Sequence, residues 1–239
     1  MYMYINNIYI HKYSSVIMRD ELDYMIKIIL VGDSRVGKTA YFNRLQKKMT
    51  YLQASTIGVD YCSIKKYYDE NYVKINIWDT AGQERFNTII TSYFKEIGGI
   101  ILMFNVNEPQ SIDKLEKWLK HVNAYTQCSH KYEHPILLLG NKTDKENKIC
   151  MDELNHFIQE HNITYKEISC KTDTNEYLEE VFDTFIEFII KNQSGAENIC
   201  KGVKRKDEII QLRQCKKTPR GTISNCETES SLVDCCILA

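Results

Sequence analysis

Apolar residues along the chain fall into short unbroken runs and into longer segments with helical spacing. The runs at 25–31, 99–106 and 135–140 are typical of strands that are buried on both faces of a sheet. The segment 110–125 instead carries apolar residues three and four positions apart, which predicts an amphipathic helix. We interpret its apolar face as core, formed by Ile112, Leu115, Trp118, Leu119 and Val122.

The remaining segments complete an alternating order of strands and helices. Residues 61–67 and 72–78 predict the two strands of a hairpin. The other predicted elements are a strand at 165–168 and helices at 40–46, 89–97, 152–161 and 176–190. This order predicts an α/β protein with a mostly parallel six-stranded sheet, one antiparallel edge strand and helices on both faces. In such a fold the loops at the carboxyl ends of the strands bind the ligand.

Three regions differ in character along the 239 residues. Residues 25–190 carry the alternating pattern and predict one globular domain. Residues 1–24 lack the pattern of a secretory signal and are expected to form an N-terminal extension. Residues 191–239 are poor in apolar side chains, so we expect a flexible tail.

Composition narrows the class of protein. A hydrophobic content of 43% is enough for a core, and a net charge of -1 argues against a nucleic-acid-binding protein. The nine cysteines include no C-x-x-C pair, which indicates free thiols in a reducing compartment. Cys128, His130 and His134 share a polar loop, but four regularly spaced ligands of a structural zinc site are not present there.

A glycine-bearing loop follows the first predicted strand. Residues 32–39 read G-x-x-x-x-G-K-T between a strand and a helix, which is the context that this phosphate-binding motif requires. Gly32 and Gly37 allow positive φ angles, so that successive N–H groups can cradle phosphate oxygens at a helix N-terminus. Lys38 would contact the β- and γ-phosphates, and the Thr39 hydroxyl would bind Mg²⁺. The predicted nucleotide contacts here are Asp33, Ser34, Arg35, Val36, Gly37, Lys38, Thr39 and Ala40.

Two further loops are placed to act on the phosphate end. Thr56 could give its hydroxyl to Mg²⁺ and its N–H to a γ-phosphate, although most loop threonines bind only water or nearby backbone. Asp79 ends a predicted strand and would hold the hydration shell of Mg²⁺. Gly82 would direct its N–H to the terminal phosphate, and Gln83 would orient a water molecule for in-line attack. Without the phosphate loop nearby, we would interpret Gln83 as a solvated amide.

The segment Asn141-Lys142-Thr143-Asp144 predicts which base is bound. The Asp144 carboxylate can accept hydrogen bonds from guanine N1–H and from the exocyclic amino group. Adenine offers a lone pair at N1 instead, and a site built for one edge can reject the other base by roughly 10⁴–10⁵. This argues against an ATP-using enzyme. Asn141 could tie the segment to the phosphate loop, and Lys142 could lie along the base. The backbone of Ser169-Cys170-Lys171 could reach guanine O6.

In order and near the usual spacing, these motifs resemble the five nucleotide motifs of a Ras-superfamily small GTPase over residues 25–190. The stretches 57–61 and 77–86 resemble the Rab branch. Tyr61, Trp78 and Tyr93 fall where Rab proteins carry an aromatic triad that effectors contact. The resemblance implies the P-loop NTPase fold for this domain.

Three positions depart from the Rab pattern. Arg35 stands where glycine is usual, and we expect its side chain either to be solvated or to act as a cation near the phosphates. The interval that ends at Thr56 is one residue shorter than usual, which displaces the aromatic residue that stacks on guanine. Either Met49 or Tyr51 could replace it. Cys170 stands in place of the usual alanine, a small change because the backbone makes the contact.

The C-terminal tail has features of a membrane anchor. Residues 201–220 hold eight lysine and arginine residues against two acidic ones. Cys235 and Cys236 precede the last three residues, and paired terminal cysteines resemble Rab tails that take geranylgeranyl groups. Two prenyl chains, or one with a basic segment, would hold the protein on a membrane, where each cation adds about 1 kcal/mol. The alternative for the basic residues is a solvated tail.

The resemblance implies a Rab-like GTPase that switches between GDP and GTP forms, with Mg²⁺ as cofactor, and regulates vesicle traffic. The residues assigned to the reaction are Gln83 and Lys38 for catalysis and Thr39, Thr56 and Asp79 for the metal. Partners would be an exchange factor, an activating protein, effectors, a prenylation escort and a GDP-dissociation inhibitor. We expect the protein on the cytoplasmic face of an endomembrane compartment, cycling through the cytosol. The alternative is a GTP-binding scaffold in which Arg35 and the shortened interval prevent hydrolysis.

Overall fold

A computed structural model describes residues 21–48, 58–80, 91–126, 134–193 and 202–215. The strands are β1 (Tyr24–Val31), β2 (Val59–Tyr68), β3 (Asn71–Thr80), β4 (Gly99–Asn105), β5 (Ile136–Asn141), β6 (Thr164–Ile168) and β7 (Val203–Arg205). The α-helices are α1 (Lys38–Leu45), α2 (Ser111–Thr126), α3 (Met151–His161), α4 (Asn175–Gln193) and α5 (Lys206–Cys215), and Thr91–Phe94 forms a 3₁₀ helix.

One sheet organises these elements in the order β2-β3-β1-β4-β5-β6, with β7 paired to β1. Strands β3, β1, β4, β5 and β6 run parallel. The edge strand β2 is antiparallel to β3, from Val59 opposite Thr80 to Tyr68 opposite Asn71. The predicted α/β class, with a mostly parallel sheet and an antiparallel edge strand, is confirmed. The seventh strand, β7, was not predicted.

The sheet has a core on each face. Alternate residues of β1 enter different cores, because successive side chains of a strand point to opposite faces. Ile26 and Ile28 belong to the core shared with α1 and α4. Ile29 and Val31 belong to the core shared with α2 and α3. The predicted apolar face of α2 lies in this second core, with Ile112, Leu115, Trp118, Leu119 and Val122 all buried.

The helix predicted at 89–97 is shorter in the structure. Among the described residues of this segment, only Thr91–Phe94 are helical, as a single 3₁₀ turn. Glu96 has a φ of 52°, a left-handed conformation that ends helical winding. Ile97 then packs into the core and β4 begins at Gly99.

The tail expectation is wrong for residues 202–215, which form β7 and α5. Val203 and Ile209 are buried, and the Lys27 N–H donates to the Gly202 carbonyl at 3.2 Å. Lys204 pairs with Glu96 at 2.7 Å. The pairing extends the sheet antiparallel beside Tyr24–Ile26. A three-residue strand has too little pattern to be predicted, because its order comes from the partner strand. Within the described parts of the chain, no helix is long and apolar enough to cross a membrane.

Candidate functional site

The phosphate loop, residues 32–39, joins the end of β1 to the start of α1. Gly32 and Gly37 have φ angles of 139° and 111°, which confirms the predicted positive values. A Cβ atom on Gly32 would lie 2.2 Å from the Met103 carbonyl oxygen, and one on Gly37 would lie 2.1 Å from Asn141 Nδ2. Both positions therefore require glycine, for backbone angle and for space.

Lys38 is held inside the phosphate loop. Its Nζ donates to the carbonyl oxygens of Gly32 at 2.7 Å and Asp33 at 2.8 Å. Burial lowers its pKa from 10.5 to about 8, against the opposing effect of the Asp79 and Asp33 charges. An anion beside Nζ would stabilise the charged form and raise this pKa, so the site favours a phosphate group.

Thr39 and Asp79 bring two metal-binding oxygens together from different elements. Thr39 Oγ1 donates to Asp79 Oδ2 at 2.6 Å, and Asp79 is completely buried near the end of β3. The neighbouring Thr80 hydroxyl donates to the Leu30 carbonyl at 2.7 Å, which fixes the end of β3 against β1. Hydroxyl and carboxylate oxygens are the hard donors that Mg²⁺ prefers, so this pair fits the predicted metal.

Asp33 has partners that the sequence did not reveal. Its carboxylate accepts from Trp118 Nε1 at 2.8 Å and lies 2.9 Å from Lys114 Nζ, both on α2. The hydrogen bond to Asp33 raises the pKa of Lys114. The helical spacing indicates Trp118 only as a core residue, and the structure adds this contact. No local pattern could have shown the link, because the two segments are 85 residues apart.

Arg35 adopts a left-handed conformation, with a φ of 65°. Its side chain is exposed, as is that of Ser34, whereas Val36 is buried. The departure from glycine at this position therefore has a backbone cost, since a Cβ disfavours this region of φ.

Asn141 connects the phosphate loop to the predicted base-binding segments. Its Nδ2 donates to the Val36 carbonyl at 2.7 Å, and its Oδ1 accepts from the Cys170 N–H at 3.1 Å. The residue is buried at the end of β5. The link to the phosphate loop is the one that the sequence predicts, and the link to Cys170 is a second one.

The base loop, residues 169–174, lies beside Asp144. Ser169 Oγ donates to Asp144 Oδ1 at 2.8 Å, and Lys171 Nζ lies 3.9 Å from Asp144 Oδ2. The carboxylate thus retains acceptor capacity for a base edge. Lys142 has a φ of 74°, and burial lowers the pKa of its amino group. Burial also raises the pKa of the Cys170 thiol to about 12, so this cysteine is neutral at physiological pH.

The three predicted effector-facing aromatic residues form one cluster. The ring centroids of Tyr61 and Trp78 are 4.7 Å apart, and those of Trp78 and Tyr93 are 5.0 Å apart. Tyr61 is 47% exposed, so the cluster is open to a partner at that end. Lys27 Nζ lies 5.6 Å from the centre of the Trp78 ring.

Several predicted positions lie outside the described residues. They are Met49, Tyr51, Thr56, Gly82, Gln83, Cys128, His130, Cys235 and Cys236. The roles assigned to them stay predictions.

Known proteins resemble this chain over the part that carries the site. Residues 27–191 match the Ras family. Rab-1 of Theileria parva is 38% identical over 172 residues, which cover 69% of this chain and 74% of that protein. Rab-18 of Lymnaea stagnalis is 36% identical over 180 residues, covering 74% and 87%. Rab-13 of Canis lupus familiaris is 32% identical over 205 residues, covering 84% and 96%. Fold, motif geometry and relatives agree, and the chain belongs to the Ras family, in its Rab branch of small GTPases.

Proposed function

We propose that this Rab-like GTPase works as a GDP/GTP switch that regulates vesicle traffic at an intracellular membrane. The observation that carries the proposal is the Asn141 side chain. It bonds to the Val36 carbonyl on one side and to the Cys170 N–H on the other. A phosphate-binding loop and a base-binding loop are thereby held together as one pocket, at the carboxyl ends of parallel strands.

The base end of this pocket suits guanine. Asp144 has one oxygen bonded to the Ser169 hydroxyl and sits in a loop that β5 positions. Its two carboxylate oxygens would accept from guanine N1–H and the 2-amino group, which adenine cannot supply. The N–H groups of the base loop would donate to guanine O6, and the Lys142 side chain would lie along the base.

The phosphate end suits a triphosphate with its metal. The N–H groups of residues 33–40 and the Lys38 ammonium would contact the phosphates. Thr39 and Asp79 would hold Mg²⁺ together with Thr56, and a bound Mg²⁺ would neutralise charge on the β- and γ-phosphates. Lys38 neutralises charge on the same oxygens from the side of α1.

Hydrolysis requires a positioned water, and we assign that task to Gln83. Its amide can both donate to and accept from a water molecule, while the Gly82 N–H contacts the terminal phosphate. Of the four arginines that the structure describes, Arg44 is bonded to the base loop and Arg35 is exposed on the phosphate loop. Arg205 lies opposite Tyr24 at the other end of β1, and Arg213 lies in α5. We therefore propose a slow intrinsic rate, with an activating protein that supplies an arginine and a gain of about 10³–10⁵.

Single-turnover hydrolysis of GTP tests the switch. We expect slow phosphate release by the protein alone, faster release with an activating protein, and loss of the stimulated rate in Gln83→Leu with GTP binding retained. GTP binding with no phosphate release in either condition would instead support the scaffold alternative.

Asp144→Ala should reduce the preference for GDP over ADP by at least a hundredfold. An unchanged preference would contradict the base assignment.

Two features of the C-terminal sequence, its paired cysteines and its basic residues, favour the proposal of attachment to a membrane. We propose that Cys235 and Cys236 carry prenyl groups and that the basic residues of 201–220, apart from the ion-paired Lys204 and Lys206, add attraction to an anionic leaflet. An exchange factor, effectors at the aromatic cluster, a prenylation escort and a GDP-dissociation inhibitor would complete the cycle between membrane and cytosol. A tagged chain should localise to an endomembrane, and the same chain with Cys235→Ser and Cys236→Ser should be diffuse. Membrane retention of the double variant would refute the lipid anchor.

A further inference from the structure

Arg44 lies in the last turn of α1 and reaches across to the base loop. Its Nη1 donates to the Cys170 carbonyl at 2.9 Å. Its Nη2 donates to the Asp173 carbonyl, and its Nε donates to Asn175 Oδ1 at the start of α4. All three nitrogens of the guanidinium group are therefore bonded to one short stretch of chain.

Only arginine can make this set of contacts. The guanidinium group is a rigid planar fork that offers donors in several directions at once, whereas a lysine ammonium is a single point charge. Each contact joins residues that are 126 to 131 positions apart in the chain. The bonds therefore hold the base loop against the helix that starts at Lys38, so one rigid helix contacts both ends of the pocket.

The contact with Cys170 controls the direction of a peptide group. The Cys170 carbonyl and the Lys171 N–H belong to the same planar trans peptide and point in opposite directions. Because Arg44 holds the carbonyl on the side of α1, the Lys171 N–H points to the other side. There it donates to Ser169 Oγ at 3.3 Å, a long bond, and this hydroxyl itself donates to Asp144. The N–H is thus directed to the side of the loop that faces the base.

The contact with Asp173 stabilises the same arrangement from the end of the loop. Asp173 Oδ2 accepts from the Ser169 N–H at 2.7 Å, and the Asp173 N–H donates to the Ser169 carbonyl at 3.0 Å. Arg44 holds the carbonyl of this residue. Arg44 thus fixes the end of the loop, while the two bonds between Asp173 and Ser169, which do not involve Arg44, keep the Ser169 hydroxyl in place beside Asp144.

We propose that Arg44 is a positioning residue for guanine recognition, which keeps the Lys171 N–H turned toward the position of guanine O6, while the Cys170 N–H is held by Asn141 Oδ1. This inference rests on the proposed function of the pocket. Without Arg44, the carbonyls of Cys170 and Asp173 lose this donor, and the Cys170–Lys171 peptide is restrained only by the long bond from the Lys171 N–H to Ser169 Oγ. The Lys171 N–H is then no longer held toward O6, whereas Asp144 still reads the N1–H and 2-amino edge.

The test compares nucleotides that differ at one recognised atom. Dissociation constants for GDP, 6-thio-GDP and IDP are measured by competition on the full chain at pH 7. The ratio of 6-thio-GDP to GDP reports the contact with O6, because sulfur is a weak acceptor. The ratio of IDP to GDP reports the 2-amino group that Asp144 reads. In Arg44→Ala we expect the first ratio to fall about three- to tenfold, the value of one hydrogen bond, and the second to stay within about twofold.

Glu179→Gln is the matched control. Glu179 on α4 pairs with Lys47 just beyond α1 at 3.3 Å, so this change weakens a link to α4 near α1 without touching the base loop. It should leave both ratios unchanged. Arg44→Lys keeps the positive charge and most of the aliphatic side chain, so it can be measured if Arg44→Ala folds poorly. We expect this variant also to reduce the ratio of 6-thio-GDP to GDP.

Two outcomes would overturn the inference. If Arg44→Ala is less stable but keeps the wild-type ratio of 6-thio-GDP to GDP, Arg44 only joins the elements structurally. The same conclusion follows if Arg44→Lys keeps that ratio. A wild-type chain that binds ADP as well as GDP would contradict the proposed function itself, which separates that failure from failure of the role of Arg44.

Discussion

At the scale of single residues, burial of Lys38 lowers the pKa of its amino group and reduces the stability of the folded chain. The pKa is about 8 in the folded chain, against an ordinary value of 10.5 for lysine, and burial is the main cause. Folding therefore penalises the charged form. The penalty is complete below pH 8, because Lys38 is charged in both the folded and the unfolded chain. It declines as pH rises from 8 toward 10.5, where both states become neutral.

We predict that Lys38→Met stabilises the nucleotide-free protein while it abolishes phosphate binding. The gain should be about 3 kcal/mol at pH 7 and about 1 kcal/mol at pH 9.5, from 1.36 kcal/mol for each pKa unit. Urea denaturation at the two pH values, with nucleotide and Mg²⁺ removed, measures it. Lys114→Met serves as the control and should lower stability, because the hydrogen bond to Asp33 holds the pKa of Lys114 above its usual value. A gain from Lys38→Met that does not change with pH would show that desolvation of the charge is not the cause.

Arg35 gives a second prediction at this scale. Its φ of 65° costs a residue with a Cβ about 1–2 kcal/mol, whereas glycine loses about 0.5–1 kcal/mol through backbone entropy. We expect Arg35→Gly to raise the free energy of unfolding by about 0.5–1 kcal/mol. Arg35→Ala should give no comparable gain, since alanine keeps the Cβ. Equal gains from both variants, in thermal or urea unfolding, would indicate that removal of the charge is responsible.

Residue-level chemistry was predictable where it depends on a local motif. The positive φ angles of Gly32 and Gly37 and the bond from Asn141 to the phosphate loop all followed from short patterns. The bonds of Asp33 to α2 and of Arg44 to the base loop did not. Those contacts join distant segments, and nothing in either segment alone shows which side chain will be its partner.

At the scale of elements, β7 and α5 are the part of the structure least visible in the sequence. The region is rich in charged residues and has few apolar ones, so composition indicated a flexible chain. The structure shows that two apolar side chains, Val203 and Ile209, are enough when a partner strand supplies the hydrogen bonds. Lys204 and Lys206 add ion pairs with Glu96 and Glu21.

Two truncations test how far these elements stabilise the domain. A chain that ends at Cys215 should unfold at the same urea concentration as the full chain. A chain that ends at Gln193 should lose about 2 kcal/mol, since each buried valine or isoleucine contributes about 1.5–3 kcal/mol before the cost of ordering the segment. Val203→Asp in the full chain should have a similar effect. If the two truncations are equally stable, β7 and α5 do not contribute to the stability of the domain.

At the scale of the whole molecule, the order of elements was the strongest prediction. Alternating strands and helices allow few topologies, because connections between parallel strands are almost always right-handed. That rule places the phosphate loop, Asp79, Asn141 and Ser169 together at the carboxyl ends of the parallel strands, and the structure has them there. The sequence did not predict that the opposite end of β1 would be paired as well.

Because β7 and α5 are the last described elements along the chain, a force applied to the C-terminus would act on them before it acts on the rest of the domain. The strand pairs with β1 through three residues, with Arg205 opposite Tyr24. A pull on the C-terminus would first draw away α5 and then unzip Arg205, Lys204 and Val203 in turn. Only after that would the load reach α4, which packs on the core beneath the pocket. Under a force on the C-terminus, α5 and β7 would therefore detach before the force acts on the nucleotide-binding pocket.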